Sequence, residues 1–142
     1  MLIHGKCHCG NIAFEFDWPG EPAEIPVRAC GCSFCTKHGV VWTSNPNGSL
    51  RVAVKDASLV NQYEFGTRTA KFHICTRCGI VPFVTSEIDG RLYAVVSVNA
   101  FEGIDASRLR KSPANFDGEG TGDRLARRKR GWIPEVKLEA PS

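Results

Sequence analysis

The chain has 142 residues, 42% of them hydrophobic and 23% charged, a composition typical of one folded domain and not of a disordered chain. Its formal net charge of +3 is too small to indicate nucleic-acid binding by itself. No stretch is long or apolar enough to span a bilayer, and the N-terminal MLIHGKCHCG lacks the apolar region of a secretory signal. We therefore expect a cytoplasmic protein whose cysteines are kept reduced.

Short strands separated by turns are predicted along most of the chain. Residues 11–18 alternate apolar and polar side chains, which is typical of a half-buried strand. The other predicted strands, bounded by glycine, proline, asparagine or aspartate, are 25–29, 39–43, 50–54, 59–65, 70–74, 80–84 and 91–98. This pattern predicts an all-β domain with little helix.

The character of the sequence changes after residue 104. Residues 105–110 predict one short helical turn, and residues 116–122 are glycine-rich and predict either a mobile lid or a flexible linker. Residues 123–130 are strongly basic. We expect a single zinc-binding catalytic domain over residues 1–142, with a core of about 1–104 and a variable C-terminal segment over 105–142.

The seven cysteines fall into three clusters with metal-ligand spacing. They are C-x-C at Cys7 and Cys9, C-x-C-x-x-C at Cys30, Cys32 and Cys35, and C-x-x-C at Cys75 and Cys78. A closed zinc site needs two pairs, so the first and third clusters predict one four-cysteine structural site. The central cluster is left with three thiolates and an open position, which is the form of a catalytic zinc site.

Other interpretations of the clusters remain open. His38 can complete the central cluster as a closed, purely structural site of three cysteines and one histidine. A disulfide between Cys75 and Cys78 lacks the βαβ context of redox C-x-x-C proteins. Iron–sulfur binding does not fit, because the spacings match neither ferredoxin pattern.

The three clusters together resemble those of the glutathione-dependent formaldehyde-activating enzyme family, whose domain also occurs in centromere protein V. G-x-C-x-C-G stands at residues 5–10, C-x-C-x-x-C at 30–35 and C-x-x-C-G at 75–79. The resemblance implies an all-β fold of several small coiled antiparallel sheets organised around zinc. It also implies two zinc ions per chain, a structural one at Cys7, Cys9, Cys75 and Cys78 and a catalytic one at Cys30, Cys32 and Cys35.

The activity that the resemblance implies is that of a carbon–sulfur lyase working as a thiol–aldehyde adduct synthase. The founding reaction joins glutathione and formaldehyde to S-hydroxymethylglutathione. At a zinc held by three thiolates, an incoming thiol loses its proton, and the bound thiolate attacks the carbonyl carbon. The three cysteines then serve as ligands and not as covalent nucleophiles.

Two residues near the central cluster are further candidates for the site. His38, three residues past Cys35, is a candidate to relay the thiol proton, although an exposed and uninvolved loop histidine fits the sequence equally well. Phe34 is a candidate to line a substrate pocket, and filling the core is its alternative.

The basic run near the C-terminus has three interpretations. A solvated segment is the commonest fate of such runs. The second is an anion clamp, in which Arg127, Arg128 and Arg130 bind the two carboxylates of glutathione. Contact with nucleic acid ranks last, because no aromatic platform accompanies the run.

Three functions therefore stand beside one another. The first is the enzyme with two zinc ions and glutathione as its small-molecule partner. The second is a non-catalytic zinc-binding interaction module, and the third is a redox-labile zinc protein. Three ligands on one loop favour the enzyme, and a homodimer is left open.

Overall fold

The computed structural model describes residues 1–139, and most of these residues lie in strands of two mixed sheets. The predicted all-β class is confirmed. The strands are β1 (Leu2–Lys6), β2 (Ile12–Asp17), β3 (Ile25–Cys30), β4 (Trp42–Thr43), β5 (Ser49–Val54), β6 (Val60–Tyr63), β7 (Lys71–Cys75), β8 (Phe83–Ile88), β9 (Arg91–Ser97), β10 (Phe101–Glu102), β11 (Leu109–Ala114) and β12 (Glu135–Glu139). The described residues also form two helices, α1 (Ser33–His38) and α2 (Thr121–Gly131), and three short 3-10 turns.

The sheets are larger than the small antiparallel sheets that the family resemblance implies. One has five strands in the order β10-β1-β2-β5-β12, and the other has seven in the order β11-β3-β4-β9-β8-β7-β6. Most neighbours are antiparallel, but β11 pairs with β3 and β12 with β5 in parallel. Parallel neighbours need a long connection, and here the C-terminal segment returns to an edge of each sheet.

The hydrophobic core has two parts. The larger part includes Ile3, Phe16 and Val96, which are all fully buried. The smaller part lies under the seven-stranded sheet around Trp42 and Trp132 and contains Cys35. The predicted functional cysteines are thus attached to a packed core and not to free loops.

Helix α1 occupies a stretch for which no regular element is predicted. The side chain of Cys32 caps its N-terminus by accepting a hydrogen bond from the backbone N–H of Cys35. Gly39 ends it with a left-handed φ of 66°, a conformation that costs glycine little. The helix is only 6 residues long, so its signal in the sequence is weak.

The C-terminal segment is more regular than expected. The predicted helical turn over 105–110 is a 3-10 turn at Ala106–Arg108 that leads into β11. The basic run forms α2, and β12 follows it at the edge of the five-stranded sheet. Neither β1 nor β12 is among the predicted strands. No helix within residues 1–139 is long and apolar enough to cross a membrane.

Gly5 is a position where the fold tolerates no side chain. It pairs with Phe14 across β1 and β2, and a Cβ on Gly5 would overlap the Phe14 ring. We expect Gly5→Ala to lower the free energy of unfolding by about 2–3 kcal/mol, because the ring must move in a close-packed core. Urea denaturation measures this, with Gly122→Ala as control, since a Cβ there meets open space. An unchanged midpoint for Gly5→Ala would contradict the packing argument.

Candidate functional site

Four cysteines from distant parts of the chain converge on one point. Cys7 follows β1, Cys75 ends β7, and Cys9 and Cys78 lie in the adjoining turns. Their sulfur atoms all lie within 4.8 Å of one another. The Sγ atom of Cys9 is 3.7 Å from that of Cys7 and 3.5 Å from that of Cys75.

The donor set of this cluster fits zinc. All four thiols are free, and four sulfur ligands at one point match a closed tetrahedral site. Burial raises the pKa of Cys7 to about 12. Burial also opposes ionisation of Cys78, but hydrogen bonds from the backbone N–H groups of Cys9 and Ile80 and from the thiols of Cys75 and Cys7 together outweigh it and lower the pKa of Cys78 to about 6. One thiolate is therefore available at neutral pH to begin metal binding.

The central cluster forms where β3 runs into α1. The sulfur atoms of Cys30, Cys32 and Cys35 also lie within 4.8 Å of one another. The indole Nε1–H of Trp42 donates a hydrogen bond to the Sγ atom of Cys35 over 3.3 Å. Hydrogen bonding from the Cys35 thiol is the main cause that lowers the pKa of Cys30 to about 5, and the same contact raises the pKa of Cys35.

Only these three ligands converge there among the residues that the structure describes. The side chain of His38 does not join them. It is exposed on the last turn of α1, and its ring stacks on that of Phe34 with centroids 4.4 Å apart. Three thiols without a fourth protein ligand fit a metal site with an open position.

A cavity of about 570 Å³ opens beside the three-cysteine cluster. The three cysteines form part of its wall. Apolar and aromatic side chains form much of the rest, among them Trp42, Phe72, Val84, Val95 and Trp132. Four arginines, Arg28, Arg124, Arg127 and Arg128, supply positive charge to the cavity, and two acidic residues, Asp117 and Glu119, supply negative charge. An open metal position beside a partly open and largely apolar cavity is suited to binding a small molecule.

Helix α2 and the loop before it form one side of the cavity. The guanidinium group of Arg127 pairs with the carboxylate of Glu119 at 3.1 Å and lies 3.5 Å from the centroid of the Phe116 ring. Hydrogen bonding to Arg127 lowers the pKa of Glu119, which therefore stays ionised. The glycine-rich stretch is thus attached to α2 by an ion pair in this structure, and its role as a mobile lid or a flexible linker stays a prediction.

The candidate residues from the sequence divide into two groups. Arg127 and Arg128 line the cavity with the three cysteines, whereas Phe34, His38 and Arg130 do not. Phe34 is half-buried and packs against the rings of Tyr63, Phe65 and Phe72 and against the smaller part of the core, in line with its predicted alternative of filling the core. The roles predicted for Phe34, His38 and Arg130 stay predictions without a cavity contact to support them.

Arg28 lines the cavity but is absent from the sequence-based candidates. It stands two residues before Cys30 on β3, and residues i and i+2 of a strand face the same side. That spacing is the signal that could have identified it. Its Nη2 donates to the Ser44 hydroxyl over 3.0 Å, and Ser44 donates to the carbonyl of Gly131 at the end of α2.

Comparisons with known proteins cover most of the chain. A family model described as glutathione-dependent formaldehyde-activating enzyme matches residues 2–114. A Halomonas elongata protein that carries the same name provisionally is 32% identical over 85 residues, which are 55% of this chain and 52% of that protein. The chain thus spans about half the length of this curated relative.

A solved structure is similar in fold and in sequence. It is the crystal structure of a Rhodobacter sphaeroides protein, with a TM-score of 0.59 and 34% identity, and the match covers 78% of this chain and 97% of the other. All seven cysteines lie within the residues that the family model matches, whereas α2 lies beyond them.

Proposed function

Because the chain belongs to the glutathione-dependent formaldehyde-activating enzyme family, we propose that it is a carbon–sulfur lyase acting as a thiol–aldehyde adduct synthase. The observation that carries the proposal is the three-cysteine cluster, which has no fourth protein ligand among the described residues and opens on a cavity. The reactants we propose are glutathione and formaldehyde, and the product is S-hydroxymethylglutathione.

The proposal includes two zinc ions per chain. Cys7, Cys9, Cys75 and Cys78 would hold one of them in a closed structural site. Cys30, Cys32 and Cys35 would hold the other in the catalytic site. When bound there, zinc supplies a Lewis acid that favours the thiolate form of a reacting thiol.

The surrounding side chains position the cluster and shield it from water. The hydrogen bond from Trp42 fixes the sulfur of Cys35, and the capping contact between Cys32 and the backbone of Cys35 fixes the start of α1. The apolar walls exclude water, which strengthens electrostatic interactions inside the cavity. These residues thus orient the ligands without entering the reaction.

The reaction needs no net supply of protons. The sulfur of the thiol forms a bond to the carbonyl carbon, and the electron pair of the C=O π bond moves to oxygen. The proton that leaves the thiol balances the proton that the new hydroxyl group gains. Proton transfer through His38 stays a prediction, because its ring lies outside the cavity wall.

Exchange between free and adduct glutathione tests the proposed activity. We expect the zinc-loaded chain to speed the exchange of ¹³C-formaldehyde with S-hydroxymethylglutathione by at least about ten-fold over the spontaneous rate. Exchange NMR measures both rates in one sample. Zinc salt at the same concentration and the chelated protein are the controls.

The opposite result would be a zinc-loaded protein that leaves the spontaneous rate unchanged. It would contradict the proposed reaction of glutathione and would favour the interaction module. Retention of zinc through cycles of mild oxidation distinguishes that module from the redox-labile zinc protein. A cytoplasmic location, which keeps thiols reduced, is part of the proposal, and homodimer formation stays a prediction.

A further inference from the structure

Arg128 is a buried cation that has no carboxylate partner within residues 1–139. Its side chain is held in α2, and the residue is 7% exposed. Nη1 donates hydrogen bonds to the hydroxyl groups of Thr69 over 2.8 Å and Ser86 over 3.2 Å. Nε is buried and has no hydrogen-bond partner among the described residues. The guanidinium carbon lies 5.0 Å from the centroid of the Trp132 ring.

Such a position is costly for a positive charge. Two neutral hydroxyl groups fix the guanidinium group in space but do not neutralise it, and buried charges in proteins are normally paired. Burial, helped by the nearby charges of Arg127 and Arg124, lowers the pKa of Arg128 to about 10. The group is still charged at neutral pH, and it lines the cavity.

Two neighbouring arginines of α2 share the carboxylate of Glu119. Arg127 pairs with it at 3.1 Å, and Arg124 lies 3.9 Å from it and donates to the carbonyl oxygens of Phe116 and Glu119. Both therefore attach the preceding loop to the helix. Lys129 pairs with Asp89 on the outside. Arg128 is the member of the basic run whose charge remains available inside the cavity.

Arg28 supplies a second cationic group to the same cavity. The Nη2 atom of Arg28 donates a hydrogen bond to the neutral hydroxyl group of Ser44. No carboxylate within the described part of the chain pairs with Arg28, which lines the cavity. The negative charges of Cys30 and Glu119 act on Arg28 and Arg128 respectively, but neither guanidinium group has a carboxylate within ion-pair distance among the described residues. Each can therefore still bind a ligand carboxylate through charge-assisted hydrogen bonds.

The rest of the cavity favours an apolar ligand. Ala70, Phe72, Val84 and Val95 belong to its walls, together with both tryptophans of the smaller core. A compound with one carboxylate and an apolar or aromatic body suits both features of the cavity.

We infer that Arg28 and Arg128 form a carboxylate-binding subsite of this cavity, and that its ligand is a monocarboxylate with an apolar or aromatic body. The inference goes beyond the proposed function, because it concerns a further ligand of the same cavity and neither glutathione nor formaldehyde. The binding itself depends on the two arginines and the walls. It is therefore measurable without any turnover.

Phenylacetate and phenylacetamide are matched probes for this subsite, because they differ in charge and hardly in shape. Calorimetric titration of the zinc-loaded full chain is expected to show phenylacetate binding at least about ten-fold more tightly than phenylacetamide. Arg128→Gln and Arg28→Gln are each expected to weaken phenylacetate binding by at least about ten-fold. Arg110→Gln, which changes an exposed arginine, is the control and should bind as the unaltered chain does.

Several outcomes would overturn the inference. One is equal binding of the acid and the amide, and another is unaltered phenylacetate binding in both cavity variants, as expected if the carboxylate only ligated the metal. Inorganic phosphate binding more tightly than phenylacetate would contradict the apolar body of the ligand. Circular dichroism checks that each variant is folded. If Arg128→Gln is unfolded, phenylacetate binding by Arg28→Gln and Arg128→Lys is measured in its place, and unaltered binding in both would overturn the inference.

The test also separates this inference from the proposed activity. Phenylacetate binding that depends on the two arginines, without any acceleration of adduct exchange, would retain the subsite and contradict the glutathione reaction. Accelerated adduct exchange without charge-dependent binding of phenylacetate would retain the glutathione reaction and contradict the subsite.

Discussion

Replacing Cys75 with serine is expected to remove the metal from the four-cysteine cluster and to destabilise the whole fold. Cys75 is fully buried, and its cluster joins the end of β1 to the end of β7. Structural zinc sites contribute on the order of 10 kcal/mol in small zinc peptides, whereas entire domains are stable by only about 5–15 kcal/mol. We expect a loss of at least about 4 kcal/mol, which corresponds to a fall in Tm of at least about 15 °C.

A buried serine is unfavourable even without metal, so the measurement must isolate the metal's share. In a Cys32→Ser background only the four-cysteine cluster is expected to bind zinc. A chelator should lower the Tm of that variant steeply, and adding Cys75→Ser should abolish the effect of the chelator. Thr76→Ser, at the exposed neighbouring position, is the matched control. A Tm that is insensitive to chelator in the Cys32→Ser background would contradict a structural metal at this cluster.

Cys32→Ser is expected to separate the second metal from the fold. Serine is a good N-cap, so it can keep the capping hydrogen bond that Cys32 accepts from the backbone of Cys35. It is a poor zinc ligand, so zinc retained after dialysis should fall from about two ions per chain to about one. Adduct exchange should fall by at least about 100-fold, because the site that favours the thiolate is lost.

Metal content, circular dichroism and exchange NMR on one preparation check these expectations together. Thr36→Ala changes an exposed residue of the same helix and should retain both zinc ions and the full exchange rate. If Cys32→Ser keeps two ions, or loses one and still accelerates exchange, the central cluster is not the catalytic site.

The metal clusters could be predicted from the sequence because the spacing of ligands is local. C-x-C and C-x-x-C place sulfur atoms close together in most structural contexts. The structure groups all seven cysteines into one cluster of four and one cluster of three. The pairing of the first and third clusters was predictable for a different reason, since a closed site needs four ligands.

The cavity wall could not be predicted in the same way. Leu125, Arg128 and Trp132 lie three and four residues apart, the spacing of one helix face, but the charges around them are typical of a solvated segment. The burial of Arg128 becomes apparent only when α2 packs beside β8, where Ser86 accepts its hydrogen bond. Proximity in sequence was misleading as well, because neither Phe34 nor His38 lines the cavity. Phe34 packs against the smaller part of the core, and the exposed His38 lies against its ring.

The metal-binding residues and the α2 side of the cavity lie in separate, consecutive parts of the chain. β11 pairs with one sheet and β12 with the other. The two strands that flank α2 therefore hold the helix against the cavity. Every cysteine of the two clusters is encoded upstream of these strands and of α2. A single recombination event between β10 and β11, after residue 102 and before residue 109, would therefore exchange the α2 share of ligand recognition and leave all seven cysteines unchanged.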